Sequence, residues 1–587
     1  MATSRIAVVD MNRCRFNECD KPCIRFCPGV RSGDETILAK DDRIIINEDL
    51  CIGCGICTKK CQFKALTVIN LAHELTDMVH QYGKNSFRLY GLPVIKKGEV
   101  IGLLGANGIG KTTALQILSG SFRPNLGNYD NPPDDADIIR KFRGTELQNY
   151  LIDLFAGKIK TVYKPQQVDT IPMHVKGKVK SLLKDERGKL EEITEKLNIS
   201  GIMDRDIGKL SGGELQRLAI AQAMLKDADV YYFDEPSSFL DAKQRLVTAR
   251  AIRELASEGK AVVVVEHDLA TLDLLADNVH IVYGHAGAYG VISKLYSARR
   301  GINIYLDGFI REENVRFRDE SISFHDYGQI FKGVDKIIEY PDLAKKLGDF
   351  SFNIKKGHIY SGEILGVFGA NALGKTTFAK ILAGEVKPDK GKLESGIKIS
   401  YKPQYLSSDF TGTVSELLSS VSKRFGTVDY HKDILKPLEL DSLLDNSVSK
   451  LSGGELQRVA IAVTLSKENS DFMLFDEPSA YLDVEQRVKF SKLIRRFIEN
   501  KKKTCMIIDH DILLLDYVSD RTVLFLGESG VSGKAGEPQK LDKGMNDFLK
   551  DLGITFRKDP DSGRPRANKP DSQKDKEQIG KNRYYTK

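Results

Sequence analysis

At 587 residues the chain is too long for one hydrophobic core and calls for roughly three or four domains. Its 88 Lys and Arg against 81 Asp and Glu leave a formal charge of +7, a mild basic bias that permits an RNA-rich partner without requiring one. No apolar run approaches the ~18 residues of a membrane span, and the opening "MATSRIAVVD" lacks a basic-then-apolar leader, so a cytoplasmic protein is expected.

Eight of the nine cysteines lie between Cys14 and Cys61. In a reducing compartment such crowding reads as metal ligation rather than disulfides. Cys51-x2-Cys54-x2-Cys57-x3-Cys61 has the ferredoxin spacing of a [4Fe–4S] centre, and Cys14-x4-Cys19-x3-Cys23-x3-Cys27-Pro28 is a looser copy. In two-cluster ferredoxins the fourth cysteine of each run serves the other cluster. That groups Cys14, Cys19 and Cys23 with Cys61, and Cys51, Cys54 and Cys57 with Cys27. A pair of structural zinc sites is the alternative. Gln62 stands where a proline usually follows the fourth cysteine, and Cys505, inside "TCMIID", reads as a core residue.

Beyond the cysteines, the apolar run 100–104 leads into "GANGIGKTT" and then a helical pattern. Here Gly105, Asn107, Gly108 and Gly110 allow backbone N–H groups to wrap phosphates. Lys111 supplies charge, Thr112 a magnesium ligand and Thr113 a further contact. Farther on come Gln166, placed to sense metal and water, and "LSGGE" with Ser211, Gly212 and Gly213. The apolar run that follows ends in Asp234, a magnesium ligand, and Glu235, which polarises water; His267 would reach the γ-phosphate.

Every one of these parts but Gly108 returns. The second set is Gly369, Asn371, Gly374, Lys375, Thr376, Thr377, Gln404, Ser452, Gly453, Gly454, Asp476, Glu477 and His510. Ala372 replaces Gly108 and Asp509 replaces Glu266, which puts the geometry of the second loop at issue if that position needs φ > 0. The two copies are offset by 241, 242 and 243 residues at Ser211, Asp234 and His267, but by 264 at Gly105. The first copy thus carries about 26 extra residues, within 132–160. A Pro-Pro-Asp-Asp start and two apolar stripes around Gly144 predict a helix–loop–helix. An apolar face on an insertion found in only one copy favours a partner-docking element over a bare surface excrescence.

These motifs resemble those of ATP-binding-cassette (ABC) ATPases, in which LSGGE closes over the nucleotide held by the opposite cassette. The resemblance pairs Lys111, Asp234, Glu235 and His267 with Ser452, Gly453 and Gly454. It pairs Lys375, Asp476, Glu477 and His510 with Ser211, Gly212 and Gly213. It also implies adenine stacking on Tyr82 and Phe87, with Tyr340 and Phe350 as weaker counterparts in the second cassette.

The whole arrangement, with "CIGCGIC", "RGTELQNY", "RGINIYLDGFI", "ENVRFRD" and "ITFRKDPDSGRPRANK", resembles the ribosome-recycling ABC ATPases of subfamily E, the RNase L inhibitor family. The implied fold class is α/β multidomain: two ABC-type P-loop ATPase domains, each a RecA-like core plus helical subdomain, preceded by a ferredoxin-like α+β iron–sulfur domain. The expected limits are 1–75 for the iron–sulfur domain, 76–292 for the first cassette, 293–325 for hinge 1, 326–543 for the second cassette and 544–587 for hinge 2 with a basic tail. That tail reads as solvated, its last portion disordered.

The family implies ATP, magnesium and two [4Fe–4S] clusters. Its implied partners are the small ribosomal subunit (rRNA and ribosomal proteins), a termination or rescue factor and initiation factors. The chain would work without a membrane, as a monomer. Its function would be an ATP-driven clamp that splits ribosomes after termination or rescue and stays on the small subunit at initiation. The alternative is an ATPase that gates low-potential electron transfer; a transporter subunit would need a separate membrane partner.

Overall fold

The computed structural model describes residues 5–70, 75, 77–322, 324, 335–393, 397–404 and 410–586. The expected limits at 75/76 and 325/326 involve residues 76, 325 and 326, which lie outside the described residues. Two compact units form: one comprises Met1–Ser238, Thr248–His267 and Leu275–Glu320, the other Phe239–Val247, Asp268–Leu274 and Ser321–Lys587.

The first unit begins with a small domain in which β1 (Arg5–Val9) pairs antiparallel with β4 (Leu66–Asn70), and β2 (Ile37–Lys40) forms a hairpin with β3 (Arg43–Ile46). Asp41 and Asp42, at φ 51° and 55°, turn that hairpin, as a tight two-residue connection demands. Between the strands run the short helices Pro22–Arg25, Pro28–Arg31 and Ile56–Lys60. The core is Ala7, Val9, Ile37, Ile44, Ile46 and Leu66 packed around Cys23, Cys27, Cys51 and Cys57.

This domain is bolted to the hairpin of β5 (Met78–Gln81) and β6 (Arg88–Tyr90). Buried Asn85, at its turn, accepts from Ile46 N and donates to the carbonyls of Ala7 and Ile46. Arg88 forms a two-pronged pair with Glu48 at 2.7 and 2.8 Å.

The main sheet of the unit has the order β5-β6-β12-β11-β7-β10-β9-β8. Its further members are β7 (Val100–Leu104), β8 (Thr161–Lys164), β9 (Val230–Asp234), β10 (Ala261–Val265), β11 (Asn278–His285) and β12 (Tyr289–Ser297). From β8 to β11 all neighbours are parallel. Strands β7, β9 and β10 are buried throughout, which explains their unbroken apolar composition. The loop after β7 and the ends of β9 and β10 therefore meet at the carboxyl edge, where open α/β sheets bind ligands. Strand β12 runs through the expected limit at 292/293.

The insertion forms helices Asp135–Lys141, capped by Asp134, and Leu147–Phe155, with Gly144 at φ 80° between them. Its apolar face points inward. Ile138, Phe142, Leu147, Leu151 and Leu154 join the core of their own cassette, and Tyr150 OH donates to Leu118 O at 2.6 Å. The argument that this face serves a partner is corrected: the stripe packs against the cassette that carries it.

In the sheet of the second unit eight strands repeat the order of the first, with a ninth, Gln539–Lys540, paired antiparallel to Arg521–Glu528. Its order is Leu343–Leu347, Phe350–Ile354, Ser532–Ala535, Arg521–Glu528, Ile364–Phe368, Thr504–Ile508, Phe472–Asp476, Ile399–Lys402. Helix Leu541–Leu552 runs through the expected limit at 543/544 and stacks Phe548 on Phe368 at 4.9 Å. Through residue 586 the tail is folded, contrary to expectation, because its polar residues bond to one another. Strands Phe556–Lys558, Pro565–Ala567 and Tyr585–Thr586 form a sheet beside helix Gln573–Gly580. Buried Gln578 donates to Phe556 O and Arg583 O, and Thr555 donates to Asp575. Arg564 is fully buried and ion-paired with Asp273 of the same unit, which also meets Arg566 at 3.3 Å.

Candidate active sites and metal centre

Strand β7 delivers the first loop to helix Lys111–Leu118 through Gly108 and Gly110, at φ 74° and 91°. Both lie in the left-handed region that frees successive N–H groups to face an anion. Lys111 Nζ donates to the loop carbonyls of Gly105 and Ala106 at 2.9 and 2.5 Å. A cavity of about 420 Å³ opens here, lined by Tyr82, Phe87, Asn107, Thr112, Thr113, Gln166, Asp234 and Glu235 among others. Tyr82 is 55% exposed, and its hydroxyl lies 3.0 Å from Thr113 Oγ1. Val265 and Gly287 also line the cavity and carry no motif; Gly287 enters because its N–H donates to Gly108 O at 2.8 Å.

At the end of β9 the two carboxylates diverge. Asp234 is buried: its Oδ2 accepts from Thr112 at 2.7 Å and Tyr163 OH at 3.2 Å, while Oδ1 has no partner. An orphaned, buried carboxylate oxygen beside the loop threonine fits a magnesium ligand. Burial pushes this carboxyl above its ordinary value, against the pull of Thr112.

Glu235 adopts φ 46°, a left-handed turn that throws its side chain away from its neighbour's direction. Oε1 accepts from Gln166 Nε2 at 2.8 Å and lies 3.3 Å from His267 Nε2, within ion-pair distance. Oε2 accepts from Ser238 at 3.0 Å. Burial pushes its pKa up, but His267, Lys111 and Ser238 outweigh burial and hold it at about 2. Such a group is a carboxylate at every physiological pH, suited to orienting a water and accepting its hydrogen bond.

The second site repeats this geometry within its own unit. Lys375 Nζ donates to Gly369 O and Ala370 O at 3.0 and 2.5 Å. Thr376 bonds Asp476, which is fully buried with Oδ1 unpartnered. Glu477, at φ 49°, accepts from Gln404 at 2.6 Å, lies 3.4 Å from His510 Nε2, and is held at about 2 in the same way.

The two departures fare differently. Ala372 keeps the left-handed conformation at φ 56°, so the loop retains its shape with a strained alanine. Asp509 takes over the bonds of Glu266: Ser479 Oγ donates to it at 2.6 Å and His510 N at 2.7 Å, where Ser237 and His267 N meet Glu266 at 2.8 and 2.7 Å.

Ser211 and Ser452 cap the fourteen-residue helices Gly212–Leu225 and Gly453–Ser466, each closing a capping box with Glu214 or Glu455. The exposed helix starts present free N–H groups and a positive dipole end. Tyr340 cannot stack on a base: it is 1% exposed, within the core. The residue opposite Phe350 in its hairpin is Leu347, 45% exposed, as Tyr82 faces Phe87 in the first cassette. Leu347 escaped sequence reasoning because only the hairpin register reveals it.

The cysteines fall into two groups. Cys27, Cys51, Cys54 and Cys57 line one small cavity. Burial, then the proximity of Cys51, Cys54 and Cys27, pushes the Cys57 thiol to about 12. Cys23 rises to about 11 through burial and its neighbours Cys61, Cys19 and Cys14. Two groups of neighbouring thiols fit the four-cysteine ligation of iron–sulfur cores. Ala65 N already donates to Cys61 Sγ at 3.4 Å. Among the described residues, no three His, Cys, Asp or Glu side chains close on the position of a single ion.

Two phosphate-binding loops, each with its own aspartate–glutamate pair and histidine, and a cysteine-rich domain bonded to the first, define an ABC-type ATPase carrying a [4Fe–4S] domain. Family models agree: the ABC transporter model matches residues 94–238 and 352–480, and the 4Fe-4S binding domain matches 44–67. Among curated relatives, "Translation initiation factor RLI1" of Saccharomyces cerevisiae is 46% identical over 99% of this chain and 98% of its own length. An "Uncharacterized ABC transporter ATP-binding protein" of Methanocaldococcus jannaschii is 51% identical over 99% and 97%.

Among solved structures, a "Model of ribosome-bound archaeal Pelota and ABCE1" is 50% identical with a TM-score of 0.93 over all of both chains. An archaeal ribosome recycling factor, aABCE1, in complex with ribosomal stalk protein aP1, is 52% identical with a TM-score of 0.84 over 88% of this chain and 100% of its own. The chain belongs to the RLI1/ABCE1 family, subfamily E of the ABC ATPases.

Proposed function

We propose that this chain is an ATP-driven clamp that splits ribosomes into subunits after termination or rescue. ATP binding closes the two cassettes and swings the iron–sulfur domain, and hydrolysis releases them. The observation that carries this is end-to-end likeness to a protein solved with Pelota on the ribosome, joined to two complete catalytic sets. No helix among the described residues is long and apolar enough to cross a membrane. The partners are the small ribosomal subunit, a termination or rescue factor and, at initiation, the initiation factors; the compartment is the cytoplasm.

In this reading Thr112 with Asp234, and Thr376 with Asp476, hold magnesium, while Lys111 and Lys375 neutralise the β- and γ-phosphates. Glu235 and Glu477 orient the attacking water, and His267 and His510 contact the γ-phosphate. Each nucleotide is completed by the LSGGE helix start of the opposite cassette. Two [4Fe–4S] centres are held by Cys14, Cys19, Cys23 and Cys61 and by Cys51, Cys54, Cys57 and Cys27, which the observed grouping of thiols supports. The clusters act as structure, and no electron needs to move. The electron-gating alternative draws no support from the relatives described above.

The test is co-sedimentation of the iron-loaded chain with ribosomal subunits and a non-hydrolysable ATP analogue. Retention on the small subunit with analogue, and its loss with ADP, is expected; equal binding with both removes the clamp.

A further inference from the structure

Gln166 and Gln404 each close the same four residues, Tyr-Lys-Pro-Gln, at 163–166 and 401–404. The lysines have no part in the assignments above, yet both are buried charges. Lys164 and Lys402 are each 1% exposed on strands flanking those that end in Asp234 and Asp476. Burying an ammonium is costly, and besides the loop lysines the chain does so at these two matched positions.

Each ammonium has the same acceptor. Lys164 Nζ donates to the main-chain carbonyl of Asp234 at 3.0 Å, and Lys402 Nζ to that of Asp476 at 2.7 Å and Glu477 at 3.3 Å. That carbonyl begins the peptide at which the chain leaves the sheet, since the next residue, Glu235 or Glu477, is at φ 46° or 49°. A non-glycine residue there is strained and persists only when its surroundings fix it. The next carbonyl is held as well, by Gln216 Nε2 and Gln457 Nε2, each at 2.7 Å.

The side chains of this turn are gripped from the same segment. Tyr163 and Tyr401 reach the aspartate Oδ2 at 3.2 and 3.5 Å, and Gln166 and Gln404 reach the glutamate Oε1 at 2.8 and 2.6 Å. Three of the four residues therefore hold one aspartate–glutamate pair, by backbone and by both carboxylates.

We propose that Lys164 and Lys402 are positioning residues for ATP hydrolysis: by pinning the aspartate carbonyl, they lock the left-handed turn that aims Glu235 and Glu477 at the attacking water. This rests on the assignment of those glutamates given above. A charge that merely filled space would leave the turn indifferent to it. A charge that fixes the turn should matter for the chemical step and little for holding nucleotide, which the loop lysines and threonines bind.

The experiment uses the full, iron-loaded chain carrying Lys164→Met and Lys402→Met together, comparing steady-state ATPase with the Kd of a fluorescent ATP analogue. The expected result is a kcat at least tenfold lower with Kd within threefold of the parent. A kcat within threefold of the parent, or kcat and Kd worsening in parallel, overturns the proposal. Where the methionine variant does not fold, Lys164→Gln with Lys402→Gln retains a shorter donor. A kcat at least fivefold lower at unchanged Kd then supports the proposal, and a kcat within twofold overturns it. Glu235→Gln with Glu477→Gln is the control: if that variant hydrolyses ATP at the parental rate, the glutamate assignment fails and the positioning role falls with it, whereas a slow glutamate variant beside fast lysine variants overturns the lysine proposal alone.

Discussion

Gly108 and Ala372 occupy equivalent loop positions at φ 74° and 56°, so exchanging them tests whether the second loop is strained. A Cβ at Gly108 would lie 3.5 Å from Gly287 N and 3.6 Å from Ala286 Cβ, ordinary contact distances. Gly108→Ala therefore costs backbone strain rather than a clash. A left-handed alanine is disfavoured by about 1–2 kcal/mol. Restricting the unfolded chain returns about 0.4–1 kcal/mol. The net is a destabilisation of about 0.5–1 kcal/mol for Gly108→Ala and a gain of similar size for Ala372→Gly. The assay is urea unfolding followed by circular dichroism, because the chain has no tryptophan. Magnesium-ADP titration accompanies it; no more than that energy can reach the nucleotide, so Kd should move by less than about fivefold. Loss of stability in Ala372→Gly, or a Kd change above tenfold in Gly108→Ala, would refute the argument, because the residue would then be shaping the site rather than storing strain.

Anaerobically purified protein should carry about eight irons, the content of two [4Fe–4S] centres; about two zincs without labile sulfide would sink the assignment. Cys54→Ser should abolish subunit splitting while ATPase activity persists, and splitting should not follow the applied redox potential while cluster content is constant. Arg564→Met leaves Asp273 buried with only Arg566 beside it, so a loss of about 3–5 kcal/mol is expected in urea unfolding; a loss below ~1 kcal/mol would show that the pair is dispensable. Glu363 is fully buried, and burial outweighs Tyr360 N–H and Arg521 to raise its carboxyl to about 7. A folded pKa above the unfolded one gives stability that is present in acid and lost as pH rises toward and through about 7. The loss is at most about 3 kcal/mol. Glu363→Gln should flatten that fall, measured as the difference in urea midpoint between pH 5 and pH 8.

The phosphate chemistry was legible in the sequence because it constrains residue types at short spacing: glycines before Lys111, an acid pair after an apolar strand, a histidine after the next. What escaped was decided by packing. The apolar stripes at Ile138 and Leu151 announce amphipathic helices without saying that the covering surface is their own cassette. Tyr340 lies buried in the core and Leu347 stands opposite Phe350, places that strand pairing decides and residue type does not. The tail's charge suggested disorder, yet buried Asn568 donates to Thr555 and Gln578, and Thr555 donates to Asp575, in its interior. Buried polar networks carry no hydrophobic signature. Lys164 and Lys402 were invisible for the same reason: composition places a lysine on the surface.

The grouping of the cysteines has a consequence for how the amino-terminal domain comes into being. Cys61 belongs spatially with the early run and Cys27 with the later one. Neither stretch of chain is a self-sufficient binding loop: cut between residues 27 and 51, each fragment keeps one ligand that the other needs. Assembly is then non-local, since the two groups span gaps of 24 residues (Cys27 to Cys51) and 38 residues (Cys23 to Cys61) in sequence. Damage to one centre is not contained. In the proposed two-centre arrangement, loss of iron from either frees a cysteine belonging to the run that ligates the other, so the two centres would fail together.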